Sequence, residues 1–134
     1  EIDNKLNTLT FYNGFQEKAN KIKNDLLEFL KQARQDNLKV AAYGAAAKGN
    51  TILNYAGIHP DLLPYVVDMN PAKEGKYMPG SQIPIVNEEW LKDDKPDYVL
   101  ILPWNLKDEI TTQLAYIKDW EGKFVIAIPE LTIQ

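Results

Sequence analysis

Cysteine is absent from this sequence, and histidine occurs once, as His59. Those absences exclude disulfides, thiolate zinc sites, a cysteine nucleophile and any metal site that pairs histidines. A long apolar run is missing too. The longest uncharged apolar stretch, Val40 to Ala47, is too short to cross a bilayer, and no basic-then-apolar segment opens the chain. Neither membrane insertion nor secretion is indicated, and a cytoplasmic protein is the expectation. No block of Lys and Arg appears either. With a formal net charge of -4, the chain lacks the clustered cations that displace counterions from nucleic-acid phosphates. Methionine is confined to Met69 and Met78, and the chain opens at Glu1, so a piece of a longer protein is expected.

What is present describes an ordinary globular chain. At 134 residues, 45% hydrophobic and 25% charged, it predicts one domain around one core. The charge is uneven: residues 84–122 hold nine acidic and four basic groups, whereas 37–83 hold four basic and three acidic. Lys48, Lys73 and Lys76 fall in that second, positive segment, where a small anionic ligand is an option.

From Phe15 onward, Ala19, Ile22, Leu26, Phe29 or Leu30, and Ala33 recur at spacings of three and four, which predicts a long amphipathic helix ending near Asp36–Asn37. The opposite face, with Lys18, Lys21, Asp25, Glu28 and Lys31, is a solvated charge pattern. Residues 38–43 read as a buried strand, and Gly44 turns into a helix around Lys48–Tyr55 that Gly57 can cap. The apolar runs 64–67 and 83–86 read as two more strands, and Pro84 suggests an edge position for the second. Asn87, followed by Glu88 and Glu89, is a helix-start signal. Residues 97–102 form the strongest strand pattern, Ile110, Leu114 and Ile117 mark a helix closing near Gly122, and 124–128 supply the last strand.

Continuous apolar strands alternating with helices imply a mostly parallel sheet covered on both faces. The fold class expected is therefore α/β: a Rossmann-like three-layer domain of about five strands over residues 38–134, preceded by the amphipathic helix within residues 1–37. In such sheets, ligands bind beyond the carboxyl ends of the strands, where the strand order reverses. The residues that follow each strand are the candidates.

After the first strand come Gly44, Ala45, Ala46, Ala47, Lys48, Gly49, Asn50 and Thr51. Glycine stands at the first and last positions of a dinucleotide fingerprint, but Ala46 replaces the middle glycine that lets the backbone approach a pyrophosphate. The lysine also precedes the second glycine, unlike a Walker loop. Amides at this helix N-terminus can hold a phosphate, with Lys48 adding a charge. A small-residue turn for close helix packing explains the segment equally well. After the second strand, Asp68 stands 24 residues beyond Gly44, near the separation of about 20 at which an acid accepts ribose hydroxyls in dinucleotide-binding folds. Ligand contact is the reading taken, and a turn acid within Asp68-Met69-Asn70-Pro71 is the alternative. After the fourth strand, Trp104 offers a stacking platform or core packing, and Asn105 a helix cap. His59 falls in a helix-to-strand loop at the far end of the sheet, where a surface role suffices. Lys76 and Tyr77 either close over a ligand or cover the sheet edge.

Taken in order, several segments resemble one family: Tyr43-Gly44-Ala45-Ala46-Ala47-Lys48-Gly49-Asn50-Thr51, then Asn54-Tyr55-Ala56-Gly57-Ile58, then Val67-Asp68-Met69-Asn70-Pro71-Ala72-Lys73-Glu74-Gly75. Pro79-Gly80, Ile83-Pro84-Ile85, Asp97-Tyr98-Val99-Leu100-Ile101-Leu102-Pro103-Trp104-Asn105 and Glu109-Ile110 follow. This order is similar to the C-terminal domain of S-adenosylmethionine-dependent sugar C-methyltransferases, over roughly Leu38 to Pro129.

The resemblance implies an N-terminal zinc-binding part, a central domain that holds S-adenosylmethionine, and this Rossmann-like domain helping to bind a nucleotide-diphosphate deoxysugar. It further implies methylation at a sugar carbon acidified by an adjacent ketone. A base removes the proton and the carbanion attacks the methyl sulfonium. Zinc ligands, the methyl-donor site and most acid/base residues would then lie upstream of Glu1, so this chain alone would carry no catalytic residue and no metal site. Its substrate contacts would be Gly44, Ala45, Ala46, Lys48, Gly49, Asn50, Thr51, Asp68, Asn70, Lys73, Trp104 and Asn105. Two other readings are a free-standing NAD-binding domain, disfavoured by Ala46 and the lack of a catalytic group, and a scaffold that packs on the upstream methyltransferase domain. A receiver-like signalling domain fits less well, because the first strand ends in Tyr43-Gly44 and not in paired acids.

Overall fold

Strands built from unbroken apolar runs have no face to give to water, and the packing bears this out. The computed structural model describes residues 2–45, 47–127 and 131–134, and side chains at all of these except 2–16, 47 and 48. Five strands, β1 (Val40–Tyr43), β2 (Val66–Val67), β3 (Ile85–Val86), β4 (Tyr98–Ile101) and β5 (Lys123–Ile126), pair in parallel, and β6 (Thr132–Ile133) joins β5 antiparallel. The order β3-β2-β1-β4-β5-β6 is that of a Rossmann-like doubly wound sheet, with its switch point between β1 and β4. The expected mostly parallel sheet is therefore present, one strand larger than the five read from sequence. β6 escapes periodicity because it is two exposed residues, held to β5 by backbone bonds.

Helix α1 runs from Ile2 to Gln35, starting well before Phe15. Its Leu26, Leu30 and Ala33 are buried in one core layer with Val40, Ala42, Leu100 and Val125 from the sheet and Leu53 from α2 (Ala47–Tyr55). The opposite layer sets Ala41, Tyr43, Val99, Ile101 and Phe124 against Leu91 of α3 (Glu88–Asp94), Ile110 of α4 (Lys107–Gln113) and the residues that follow it. The alternation of Val40 and Ala42 with Ala41 and Tyr43 between the layers is the period-two geometry of a strand. Pro84 precedes β3 at the sheet edge, where a missing donor costs no ladder bond.

Local chemistry explains the helix boundaries. The Asn87 side chain accepts a hydrogen bond from the Trp90 N–H and caps α3, with Glu88 and Glu89 in the first turn. The α2 terminus closes with Ile58 N–H on Leu53 O and Gly57 N–H on Asn54 O, so Gly57 serves the capping role expected of it. The single helix expected after β4 is instead three pieces: a 3₁₀ turn (Trp104–Leu106), α4, and a 3₁₀ segment (Ala115–Trp120). Asn105 lies inside the first 3₁₀ turn, and α4 begins without a side-chain cap, so its expected capping role is not realised. Thr111 and Thr112 both turn their hydroxyls back onto the Asp108 carbonyl. Such back-bonding by β-branched residues weakens a helix and accounts for its break after Gln113. Of the last predicted strand, 124–126 are in β5, and Ile128 lies outside the described residues.

Candidate functional site at the carboxyl ends of the strands

Parallel register brings the ends of β1, β2 and β4 together. Gly44 N–H donates to Val67 O at 2.8 Å, and Leu102 N–H donates to Tyr43 O at 3.1 Å. The first candidate loop is thereby wedged between the loops after β2 and β4. Gly44 has φ +95°, and a Cβ there would lie 2.5 Å from Pro103 Cδ. Only glycine combines that dihedral with that approach. At Gly49 in α2, a Cβ would meet Leu102 Cβ at 2.5 Å. The two fingerprint glycines thus have packing reasons at the switch point, whatever the loop binds.

Asp68, at the end of β2, faces this loop. Its Oδ2 accepts the Ala45 N–H at 2.9 Å and its Oδ1 accepts the Asn70 N–H at 2.8 Å. Lys73 Nζ donates to the Ala45 carbonyl at 2.9 Å and stands 3.7 Å from Asp68 Oδ2. Asn70 accepts the Ala72 N–H at 3.0 Å through its own side chain. The Asn50 side-chain oxygen is buried with no hydrogen-bond partner among the described residues, and Thr51 is exposed. Trp104 is half-buried against the α3/α4 layer, and Asn105 is exposed beside it. Ala46 and the Lys48 side chain lie outside what the structure describes. The structure therefore brings Gly44, Ala45, Asp68 and Lys73 together and sets Gly49 against Leu102, with Trp104 and Asn105 following Pro103 on the β4 side.

A second polar group stands near the same strand ends and was not found from sequence. Tyr43 hydroxyl accepts from Gln113 Nε2 at 2.8 Å, and that amide also reaches Met69 Sδ at 2.6 Å and Glu88 Oε1 at 3.5 Å. Burial pushes the Tyr43 phenol up, Gln113 opposes this, and the charges of Glu88 and Asp68 add to the rise. Tyr116 hydroxyl is buried with no hydrogen-bond partner among the described residues. Burial and the Glu88 carboxylate hold it above the ordinary tyrosine range. These residues come from β1, the β2 loop, α3, α4 and the 3₁₀ segment after it. The one signal available was a tyrosine closing an apolar strand directly before a glycine turn.

At the amino ends of the strands lies a groove of about 520 Å³, lined by Leu30, Leu38, Tyr65 and Trp90 among others. It contains none of the predicted site residues. Tyr65 at its wall donates to Asp94 Oδ2 at 2.8 Å, and burial first, then Asp94, drive its phenol far above the usual range. The folded chain thus keeps Tyr65 protonated where the unfolded chain ionises near about pH 10. Its contribution to stability is complete below that pH and declines as pH rises above it. Urea midpoints are expected to fall as pH rises above about 10, and Tyr65→Phe to shallow that fall. An unchanged slope in the variant would assign the pH dependence to other tyrosines. His59, whose ring Nδ1 is 3.3 Å from Ser81 O, sits in an exposed loop as expected.

Comparison with known proteins adds three findings. A family model described as the C-methyltransferase C-terminal domain matches residues 1–129. C-methyltransferase NovU of Streptomyces niveus is 32% identical over 119 residues, or 89% of this chain, and the chain spans 28% of that protein's length. Among solved structures, UDP-D-quinovosamine 4-dehydrogenase from Vibrio fischeri is similar at a TM-score of 0.49 and 22% identity, over 69% of this chain and 79% of that one.

Proposed function

Because the chain belongs to the C-methyltransferase C-terminal domain family, we propose that it helps a sugar C-methyltransferase bind a nucleotide-diphosphate deoxysugar. Family membership over residues 1–129 is the observation that carries this reading. In it, the loop of Gly44, Ala45, Ala46, Lys48, Gly49, Asn50 and Thr51 receives the diphosphate. Trp104 and Asn105 form the β4 wall of the crevice, and Asp68, Asn70 and Lys73 form the β2 wall. Chemistry is assigned to an upstream methyltransferase domain of the same polypeptide, in the cytoplasm, and this chain is given no catalytic residue.

S-adenosylmethionine would supply the methyl group and zinc a structural centre, both upstream. This chain's own residues fit neither. It has no Gly-x-Gly-x-Gly loop, no cysteine and one histidine, and among the described residues no three potential metal ligands cluster.

Asp68 speaks against the NAD alternative, since the acid that would take ribose hydroxyls already accepts two backbone amides. The scaffold alternative draws support from Gly44 and Gly49, whose packing alone requires glycine.

Backbone amide spectra recorded while adding thymidine diphosphate, NAD or S-adenosylmethionine separate the three readings. Shifts at Gly44–Thr51, Asp68 and Trp104 with thymidine diphosphate alone are expected. The same shifts with NAD would favour the dinucleotide reading, and silence with all three the scaffold. In the parent enzyme, Lys48→Ala is expected to weaken nucleotide-sugar affinity about tenfold, as loss of one charge-assisted bond does. Unchanged affinity would remove Lys48 from the site.

A further inference from the structure

Both backbone polar groups of Ala45 are held from the β2 side. Asp68 takes its N–H and Lys73 its carbonyl, while the Asp68 and Lys73 charges face each other at 3.7 Å. Asn70 fixes the turn between them through its bond to Ala72 N–H. We propose that Asp68 and Lys73 are positioning residues. They clamp Ala45, hold the β1–α2 loop in the shape that receives a diphosphate, and leave the site blind to the ribose 2′-hydroxyl. The ligand in this inference rests on the nucleotide-sugar reading, whereas the clamp is a property of the folded chain.

Three physical arguments support it. The Asp68 side chain is only 15% exposed, and both of its oxygens already accept a backbone amide, at 2.9 and 2.8 Å, so little of the carboxylate edge is open to a ribose hydroxyl. Withdrawing Asp68 toward a ribose would leave the part-buried Ala45 N–H without its acceptor, and a buried unpaired donor is costly. Lys73 also cancels the Asp68 charge beside the loop, so a carboxylate that would repel phosphate is neutralised where it stands. Asp68 is thus available to the loop and not to the ligand.

The test measures Ala45 amide exchange in the full chain, together with affinities for uridine diphosphate and 2′-deoxyuridine diphosphate. It covers the natural sequence, Asp68→Asn, Lys73→Met and Lys73→Arg. The natural chain is expected to bind the two nucleotides within about twofold of each other. Asp68→Asn and Lys73→Met are expected to speed Ala45 exchange at least about threefold, the scale of one lost hydrogen bond. Both variants should weaken the two nucleotides by a common factor, and Lys73→Arg should restore most of the loss. Unchanged Ala45 exchange in both variants would overturn the clamp. A preference of about tenfold for the ribonucleotide that disappears in Asp68→Asn would show direct ribose contact and overturn the assignment of Asp68. If Lys73→Met weakens binding without altering Ala45 exchange, Lys73 is a phosphate ligand and the inference fails for it. Should neither nucleotide bind the natural chain, the substrate reading and the 2′-hydroxyl claim both fall, and the exchange rates still decide the clamp.

Discussion

Gly44→Ala is expected to cost about 3 kcal/mol of stability, combining left-handed strain of roughly 1–2 kcal/mol with an overpacking cost of the same order. Gly44 sits at φ +95°, and its added methyl would lie 2.5 Å from Cδ and 2.8 Å from Cγ of Pro103. The proline ring cannot swing aside as a flexible side chain does, so the β1 and β4 loops must separate. Separation disturbs the ladder bond of Leu102 N–H to Tyr43 O and the approach of Ala45 to Asp68. The comparison variant is Gly49→Ala. It meets Leu102 at the same 2.5 Å but without a positive φ, and alanine gains about 1 kcal/mol of helix propensity over glycine. A smaller loss, about 1–2 kcal/mol, is expected there. Urea midpoints at unchanged m-value measure both. Equal losses in the two variants would show that strain at Gly44 contributes nothing. A loss below about 1 kcal/mol at Gly44 would mean that the switch point can open, and that its glycine is required by a ligand and not by packing.

Leu26→Ala is the second large expectation, at about 3 kcal/mol within the usual range for truncating a buried leucine. Leu26 is 0% exposed and Leu30 1%, and both belong to the layer that contains Leu53, Leu102 and Val125. The 34 residues of α1 extend about 50 Å at 1.5 Å per residue, far more than a four-residue strand spans. Its C-terminal part nevertheless completes one face of the sheet. Lys31→Ala, on the exposed side of the same helix, should change stability by less than about 0.5 kcal/mol. A cooperative loss in Leu26→Ala, seen alike by helix and aromatic signals, establishes α1 as part of the domain. A change below about 1 kcal/mol, with a separate helix transition, would make it an appendage.

The two expectations differ in how they could be anticipated. Leu26 is read from spacing, because three- and four-residue recurrence places it with Leu30 and Ala33 on one stripe wherever the helix docks. For Gly44, only the turn is foreseeable. That Pro103 blocks its Cβ depends on β1 pairing with β4, Ala42 against Leu100 and Tyr43 against Ile101, across a sequence gap no local pattern bridges. The Thr111–Thr112 pair that breaks the helix after β4 is an intermediate case: its effect is local, but a smooth apolar spacing of Ile110, Leu114 and Ile117 outweighs it on reading.

Sequence by itself determined the alternation of strands and helices as far as β5, the buried character of the parallel strands, the edge place of the Pro84 strand, the Asn87 cap and the residues that border the strand ends. Each follows from burial periodicity or from bonds made within a few residues. Tertiary structure alone decided that Asp68 turns to Ala45, that Lys73 holds the carbonyl of the same residue, and that Tyr43, Glu88, Gln113 and Tyr116 share one corner. Those contacts join residues 23 to 70 positions apart. Their geometry comes from strand register, which the whole core sets at once and no single segment encodes.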